Sequence, residues 1–377
     1  MIKVCHMTSG HPPEDGRIFR KECVSLAQAG YDVYLVQRGA SYEKDGVHIV
    51  GAGDFHGGRL SRMISYARNV YQTALGVDAD IYHFHEPELL PYGLKLKRRG
   101  KIVIFDSHER YAELIGQKYY LPKWSRVLVA RCYGAFERYV LRRIDGVVFP
   151  ALKEGKDPFA GQCRHTAIVN NTALLSETYD QYDPDVKKDS ESICYVGALD
   201  YGRGITHLVR AAARAQCELY LAGKFCPDSY RQELLSMPEA HCVHDCGILD
   251  RPAVMERIQR SQIGMATILN VGQYNQYDNL ATKCYEYMSL GIPVILTRSP
   301  YNQKVVDQYR FGICVDPENC EELAGAIRYL LDHPDEAQEM GENGRRAVRE
   351  VFNWSIEEKK LLALYEEILN DKKEIAP

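Results

Sequence analysis

A phosphate and sugar site is suggested by the segment YDNLATKCYEYMSLGIPVIL, residues 277–296. Asn279 or Thr282 can cap a short helix, Gly291 can end it, and an apolar strand follows Pro293. A loop that leads into a helix N-terminus at the edge of a parallel sheet attracts anions, because the first N–H groups are free and the helix dipole favours negative charge. This chemistry suits the diphosphate of a nucleotide.

Two carboxylates accompany the predicted helix. Glu286 lies four residues after Thr282, so it belongs to the second turn, where it can accept hydrogen bonds from a ribose diol. Asp278 lies eight residues before Glu286, in the loop that precedes the helix. The two acids can therefore flank one bound molecule, although a solvated helix acid and a loop cap are the alternatives.

Other polar patterns point away from a metal or dinucleotide enzyme. The Asp-x-Asp spacings at 78–80 and 183–185 lie at a strand start and in a polar stretch, so we interpret both as turns. The cluster HCVHDC at 241–246 resembles a zinc site, but a strand would send neighbouring ligands to opposite faces. No G-x-G-x-x-G follows the first strand, where TSGHPPEDG stands, which disfavours a dehydrogenase. We therefore expect no metal and no cofactor.

Length and composition predict a soluble enzyme of two domains. The chain has 377 residues, of which 45% are hydrophobic and 26% charged, and this length suits two cores. No run of 18 apolar residues occurs, and MIKVCHMT alternates like a strand, so we expect a cytoplasmic protein. Twelve scattered cysteines are typical of thiols in a reducing compartment.

The first half of the chain is basic. Residues 1–175 contain 25 Lys and Arg against 18 Asp and Glu, whereas the remainder contains 22 against 33. The stretches 59–75 and 119–143 are amphipathic and combine basic with aromatic residues. This composition suits contact with the inner leaflet of a membrane, with core packing and a solvated basic face as the alternatives; we expect no nucleic-acid partner.

Alternating apolar runs and amphipathic stretches predict two Rossmann-like α/β domains. IKVCHMT, YDVYLV, IYHFH, KIVIFDS and GVVFPA read as strands of a first domain, residues 1–175. SETYDQYDPDVKKDSES, residues 176–192, is polar and aperiodic and is the predicted linker. A second series occupies residues 193–352, and a last helix occupies 353–377.

Several motifs resemble one family. TKCYEYMSLGIPVI is similar to the donor signature of glycosyltransferase family 4, the group 1 family of retaining, metal-independent enzymes. YVGALDYGRGITHLVRAA, SGHPPEDGRIFRKECVSLAQAGYDV, IYHFHEPELLPYG and VIFDSHE resemble further family segments, so the likeness covers nearly the whole chain. The resemblance implies the GT-B fold: two Rossmann-like domains whose parallel sheets face a central cleft, with a C-terminal helix that crosses back to the first domain.

The resemblance also implies residue roles. Glu286 would hold the ribose, Asp278 would contact the transferred sugar, and His108 would face the donor sugar. Arg203 would neutralise the diphosphate, and Gly16 would lie beside it. The other donor-binding residues implied by the signature are Asn279, Leu280, Thr282 and Lys283.

Two positions differ from the family pattern or extend it. Ala198 stands where an arginine often follows the first glycine, so Lys283 or Lys224 would supply that phosphate contact. His83 and His85 alternate on one strand, share a face, and could reach the cleft.

The function implied is transfer of a sugar from a nucleotide-sugar, with UDP-sugar the expected donor, to a glycan or polyprenyl-linked glycan in cell-surface polysaccharide synthesis. Two alternatives stay open at this point. A nucleotide-sugar 2-epimerase shares the architecture, and a non-catalytic subunit that binds a partner enzyme would explain the departures at Ala198 and Asp278.

Overall fold

The predicted alternation of strands and helices produces two parallel sheets, one in each of two structural units. The computed structural model describes residues 1–55, 57–117 and 123–375. The first unit comprises Met1–Leu152, Lys156–Asn171 and the chain from Ser355 onward, and the second comprises Lys153–Gly155 and Thr172–Trp354.

The first unit contains a sheet of eight strands. The strands are β1 (Lys3–Met7), β2 (Asp32–Gln37), β3 (Tyr42–Lys44), β4 (Val47–Gly51), β5 (Ile81–Phe84), β6 (Ile102–Asp106), β7 (Gly146–Phe149) and β8 (His165–Ile168). Their order is β3-β4-β2-β1-β5-β6-β7-β8, and all neighbours are parallel except β3 and β4. β1 and β5 therefore lie at the centre, where their residues are buried on both sides.

Among the residues that the structure describes, six helices of the first unit precede β7. They are α1 (Val24–Gln28), α2 (Arg59–Ser61), α3 (Ala67–Val77), α4 (Leu90–Arg98), α5 (Tyr111–Gln117) and α6 (Lys123–Leu141). π-helical turns precede α1 at Ile18–Cys23 and follow α2 at Arg62–Tyr66.

The polar passage after β2 contains a hairpin that sequence periodicity missed. Strands β3 and β4 pair antiparallel around Asp45 and Gly46, whose φ angles are 50° and 77°. Asp-Gly is a preferred pair for a two-residue turn with positive φ, because both residue types tolerate the left-handed region. The dipeptide was therefore an available sequence indication.

The second unit contains a six-stranded parallel sheet in the order β11-β10-β9-β12-β13-β14. The strands are β9 (Ser192–Val196), β10 (Glu218–Ala222), β11 (Val243–Gly247), β12 (Ile263–Ala266), β13 (Val294–Thr297) and β14 (Gly312–Val315). The helices are α7 (Ile205–Arg214), α8 (Ser229–Leu235), α9 (Arg251–Gln259), α10 (Thr282–Ser289), α11 (Pro300–Tyr309), α12 (Cys320–Asp332) and α13 (Pro334–Glu350). Each predicted strand of this series is present.

The last helix, α14 (Trp354–Ile375), leaves the second unit and packs in the first. Tyr365 is fully buried, and Asp371 Oδ2 lies 2.7 Å from His165 Nε2 of the first unit. The chain passes between units after Asn171 and Trp354, so residues 176–192, predicted as the linker, lie within the second unit. There Asp189 bonds Arg257 at 2.6 Å, which explains why a polar, aperiodic stretch is nevertheless ordered.

Gly264, which has no side chain, leaves room in β12 for helix α10, the helix that carries candidate donor-binding residues. A Cβ atom built on Gly264 would lie within 2.8 Å of three ring atoms of Tyr287, on α10. The Tyr287 hydroxyl accepts from Val196 N at 3.1 Å and donates to Met265 O at 3.2 Å. Gly264 therefore allows α10 to lie directly against the sheet.

We predict that Gly264→Ala destabilises the protein by about 1–3 kcal/mol and lowers nucleotide affinity, because overpacking at Tyr287 must displace α10. Chemical unfolding and ligand titration measure the two effects. Gly325→Ala is the matched control: Gly325 lies in α12 with open space at its Cβ, so alanine should stabilise by about 0.5–1 kcal/mol. Equal stability of Gly264→Ala and the wild type would contradict the packing argument.

Candidate functional site

Helix α10 begins without a side-chain cap. Its N-cap residue is Ala281, in an extended conformation, and no side chain accepts a hydrogen bond from the first turn. The predicted capping by Asn279 or Thr282 is therefore wrong. Cys284 N donates to Ala281 O at 2.8 Å, so the N–H groups of Thr282 and Lys283 are the ones that an anionic ligand can contact at this end of α10.

Two basic side chains converge beside this helix end. Lys283 is buried, with Nζ 3.2 Å from the centroid of the Tyr195 ring and close to Gly197. Burial, and then the charge of Arg203, lower the pKa of Lys283 well below its ordinary value. An anion bound here would relieve both effects.

Arg203 lies on a short 3-10 helix, Tyr201–Arg203, directly after β9. Asp200 caps this helix by accepting from Arg203 N at 3.0 Å, and the guanidinium lies 4.5 Å from the Tyr274 ring centroid. Arg203 Nε is buried and has no hydrogen-bond partner among the described residues. The structure thus brings Arg203 and Lys283 together, as the family resemblance implied.

Glu286 already has a basic partner. Arg251, the first residue of α9, donates from Nη1 to Glu286 Oε1. The pair is partly exposed, so solvent screens it and a polyol can replace the arginine as the donor to this carboxylate. Sequence reasoning missed Arg251, because nothing local links residue 251 to residue 286.

Asp278 shapes the loop before α10. Its Oδ2 accepts from the backbone N–H of Gly155 at 2.6 Å, so one carboxylate oxygen is engaged by the chain itself. Leu280 is buried among Cys284 and Tyr285, so only its backbone is available to a ligand. Asn279 is half-buried in the same loop, with its N–H directed at Tyr277 O.

In the first unit, His108 belongs to a buried polar group. Its Nε2 lies 3.1 Å from Asp106 Oδ2, and its side chain is 16% exposed. Arg17 donates to both oxygens of Asp106, from Nε at 2.9 Å and from Nη2 at 3.1 Å. Although burial favours the neutral acid, Arg17 and then His108 hold the pKa of Asp106 well below its usual range. Asp106 is therefore an ion that orients His108.

The loop after β1 is organised by Glu86. The Glu86 carboxylate accepts from Thr8 Oγ1 at 2.5 Å, Ser9 N at 2.9 Å, Gly10 N at 2.8 Å and His11 Nδ1 at 2.8 Å. Burial alone would raise the pKa of Glu86, but the hydrogen bond and charge of His11 lower it to about 2. The same contact raises the pKa of His11 against the effect of burial. Glu86 and His11 therefore favour each other's charged forms, next to His108, whose ring centroid is 4.7 Å from that of His11.

The remaining first-unit residues of interest are Gly16, His83 and His85. Gly16 is exposed in the loop before the first helical turn, and a Cβ built on it meets nothing within 4 Å. His83 and His85 are fully buried, so neither side chain is solvent-accessible. The role of Gly16 stays a prediction.

The two Asp-x-Asp patterns, at 78–80 and 183–185, lie at turns in the structure, as we interpreted them from the sequence. Asp78 caps α3 in the left-handed region and pairs with Lys101 at 2.7 Å, while Asp183 accepts from Asp185 N at 2.9 Å. In the 241–246 cluster, His244 Nε2 contacts Glu218 at 2.6 Å, and His241 instead faces a backbone oxygen. The two histidines of this cluster therefore contact different partners.

Comparisons with known proteins identify the family of this chain. The family described as "Glycosyl transferases group 1" matches residues 180–347, and "Glycosyltransferase Family 4" matches residues 17–156. The chain belongs to the group 1 glycosyltransferases. This glycosyltransferase is similar to MMP α-(1→4)-mannosyltransferase of Mycolicibacterium hassiacum, with 24% identity over 322 residues, 81% of this chain and 75% of the relative.

Solved structures agree on the fold. Sucrose-phosphate synthase from Thermosynechococcus elongatus superposes with a TM-score of 0.77 at 16% identity, covering 98% of this chain and all of that one. Anabaena HepE in complex with UDP-glucose gives a TM-score of 0.70 at 12% identity, covering 97% and 100%. The glycosyltransferase therefore has the GT-B fold of two parallel-sheet α/β domains.

Part of helix α6 exposes apolar residues. Val127, Leu128 and Val129 are 53%, 58% and 42% exposed. Core packing by the aromatic residues, the alternative, is confirmed in the stretch 59–75, where Tyr66 and Tyr71 are buried in the core. Val140 and Leu141, near the end of α6, are buried. Residues 119–122 of the predicted stretch lie outside the described residues. Among those described, no helix is both long and apolar enough to cross a bilayer.

We predict that Glu86→Gln removes stability in a defined pH window. The pKa of Glu86 is depressed, so its contribution is present above 4.5 and disappears as pH falls towards 2. The pKa of His11 is raised, so its contribution is present below 6.5 and disappears as pH rises above the raised value. The loss should therefore be largest between pH 4.5 and 6.5, at about 3 kcal/mol.

Denaturant unfolding of the first unit at several pH values measures this loss. Glu109→Gln is the control, because Glu109 is exposed close to the same sheet edge and should cost little at any pH. A Glu86→Gln penalty that stays constant from pH 2 to pH 9 would show that the charge pair is not its cause.

Proposed function

We propose that this glycosyltransferase moves a sugar from a nucleoside-diphosphate donor, a UDP-sugar, to a hydroxyl of a glycan or polyprenyl-linked glycan. The transfer retains the anomeric configuration and needs no metal ion. Its product belongs to a cell-surface polysaccharide.

The convergence of Lys283 and Arg203 at the uncapped end of α10 carries the proposal. When the glycosidic bond of a nucleotide-sugar breaks, negative charge develops on the leaving diphosphate. Fixed N–H groups and cations at that place stabilise the charge without reorganisation. These groups supply the positive potential that a metal supplies in other transferases.

Glu286 supports the ribose part of the assignment. Its carboxylate lies on the second turn of α10, and its present donor, Arg251, is partly exposed and replaceable. We assign the ribose hydroxyls to Glu286 and the transferred sugar to Asp278 and His108. The choice of UDP is supported by the likeness to HepE, whose structure contains UDP-glucose.

The nature of the acceptor is suggested by the surface of the first unit. Four exposed arginines follow the exposed apolar residues of α6: Arg131 and Arg138 in the helix, and Arg142 and Arg143 directly after it. Apolar side chains beside arginines favour an interface with anionic lipids. A polyprenyl-linked acceptor would lie at such an interface, on the cytoplasmic face of the membrane.

The alternatives are not favoured. Membership of the group 1 glycosyltransferases argues against a 2-epimerase, and the cluster of Lys283 with Arg203 argues against a non-catalytic subunit. The missing arginine at Ala198 is accounted for by Lys283, which reaches Gly197 next to it.

A thermal-shift screen with UDP-, GDP-, ADP- and dTDP-sugars in the presence of chelator tests the donor. A ligand that binds only the folded state raises the midpoint, so we expect the largest rise with a UDP-sugar. Product analysis with an acceptor extract then tests transfer and anomeric configuration. No shift with any nucleotide-sugar would reject the proposal, and strict dependence on a divalent ion would reject its metal-independent form.

We predict that Arg203→Ala weakens UDP binding about tenfold or more, because it removes one charged hydrogen bond to the diphosphate. The loss should be smaller for uridine, which has no phosphate, and calorimetry measures both. Arg210→Ala, on the exposed face of α7 in the same unit, is the matched control and should bind UDP normally. An equal loss for uridine and UDP would contradict the diphosphate assignment.

We also predict that Leu128→Glu reduces binding to vesicles that contain anionic lipids, because it places a carboxylate on the proposed lipid-facing surface. Co-sedimentation measures the bound fraction. Ile248→Glu makes the same change at a 76% exposed residue of the second unit and should leave binding unchanged. If the wild-type protein does not bind anionic vesicles, the proposed membrane contact is wrong, and the proposal on donor binding is unaffected.

A further inference from the structure

A continuous series of polar side chains runs through the core of the first unit. His83 Nδ1 lies 2.9 Å from the Tyr365 hydroxyl, which lies 3.4 Å from His6 Nε2. His6 Nδ1 lies 3.0 Å from His85 Nε2. His85 Nδ1 in turn lies 3.3 Å from Asp106 Oδ2, the atom that also faces His108. The three inner histidines and Tyr365 are fully buried.

The parallel sheet explains why these side chains meet. His6 on β1 is the register partner of His83 on β5, and their ring centroids are 4.5 Å apart. His85 follows two residues after His83, so it lies on the same side, and the two rings stack at 5.0 Å. Tyr365 enters from α14. The series therefore joins the first sheet to the C-terminal helix.

The Asp106 carboxylate determines which ring nitrogens carry the hydrogen at one end of the series. Arg17 donates to both of its oxygens, so the carboxylate is an acceptor only. The nitrogen of a neutral imidazole that faces a carboxylate must carry the hydrogen, because two acceptors repel each other. His85 is therefore protonated at Nδ1 and His108 at Nε2, and their 3.2 Å approach results from two N–H groups that converge on one oxygen.

This direction propagates along the whole series. A neutral imidazole has one donor and one acceptor nitrogen. Since His85 donates from Nδ1, its Nε2 must accept from His6 Nδ1–H. His6 Nε2 then accepts from the Tyr365 hydroxyl, whose oxygen accepts from His83 Nδ1–H.

The other end is a neutral acid. His83 Nε2 and both oxygens of Glu22 are buried and have no hydrogen-bond partner among the described residues. Glu22 Oε1 lies 3.0 Å from Arg17 Nε, but not in hydrogen-bond geometry. Burial, and then the charge of Asp106, raise the pKa of Glu22 well above its usual range. The neutral form of Glu22 is therefore favoured near one end of the series, and Asp106 lies at the other end as an anion.

A metal ion is the competing explanation for the inner cluster. One ligand atom from each of Glu22, His83, His85 and Asp106 lies within 4.8 Å of the others. However, Arg17 already brings a full positive charge to this place and occupies both Asp106 oxygens. The neutral histidines fit a proton-ordered arrangement: burial lowers the pKa of His6, His83 and His85 below the ordinary value.

We propose that Asp106, held by Arg17, fixes the tautomer of His108 and, through His85, sets a single hydrogen-bond direction along His6, Tyr365 and His83. Asp106 is the positioning residue for His108, and the importance of His108 for transfer rests on the proposed function. With Nε2–H directed at Asp106, Nδ1 of His108 is left as an acceptor, the form that receives a hydrogen bond from a sugar hydroxyl. The opposite tautomer or an imidazolium would instead present a donor.

Nuclear magnetic resonance of protein labelled with ¹⁵N-histidine tests the series directly. Two-bond ¹H–¹⁵N correlations report the protonated nitrogen of each ring, and single histidine substitutions assign the signals. We expect His6, His83 and His85 as Nδ1–H tautomers and His108 as the Nε2–H tautomer at neutral pH. An Nε2–H tautomer or an imidazolium at His6 or His85, or a stoichiometric bound metal by elemental analysis, would overturn the proposal.

Tyr365→Phe tests the link to α14. It removes one hydroxyl without changing the ring, so we expect a mixed tautomer at His83, whose Nδ1 loses its partner. His6, His85 and His108 should keep their tautomers, because Asp106 still sets them. Tyr82→Phe is the matched control, because its buried hydroxyl bonds only Ala74 O and Ala79 N outside the series.

The two measurements separate this proposal from the proposed function. The tautomer pattern needs no substrate, so the expected pattern without sugar transfer would reject only the function. A changed His108 tautomer in Tyr365→Phe would reject only the control by Asp106, whether or not sugar transfer occurs.

Discussion

The ion pair between Arg17 and Asp106 is the interaction on which the first unit's site depends. Both side chains are buried, and the guanidinium contacts both carboxylate oxygens. Removal of one partner from a buried pair of this kind costs about 3–5 kcal/mol, because the other charge is left without compensation. The pair also joins three separate segments, since Arg17 Nη1 donates to Val169 O at 2.8 Å. It therefore determines local structure as well as the proton positions around His108.

In the second unit, charged side chains are arranged differently from the Arg17–Asp106 ion pair of the first unit. Lys283 and Arg203 are cations with few anionic partners, and Lys283 faces an aromatic ring instead of a carboxylate. Burial disfavours the charged form of Lys283, and only an anionic ligand restores it fully. One unit thus holds a compensated, rigid polar core, and the other holds a positive charge that a phosphate can complete. The two arrangements suit the roles that we propose for His108 and for the end of α10.

Sequence patterns predicted the elements well where local periodicity was strong. The six strands of the second unit and the helix from Thr282 follow apolar runs and turn residues that need no distant partner. The hairpin β3–β4 was missed because three-residue strands give too short a pattern, although its Asp-Gly turn was visible. The linker at 176–192 was predicted from polarity, yet those residues belong to the second unit, because polar side chains can order a segment by pairing with partners distant in sequence.

The sequence by itself determined the family and the fold class, because these depend on short motifs and on the alternation of buried and exposed residues. Only the tertiary structure decided which partners those residues have. Arg251 reaches Glu286, Gly155 reaches Asp278, and Tyr365 reaches His83 across 282 positions of the chain. Hydrogen bonds of this kind depend on how sheets and helices bring distant residues together, and no local spacing encodes that distance.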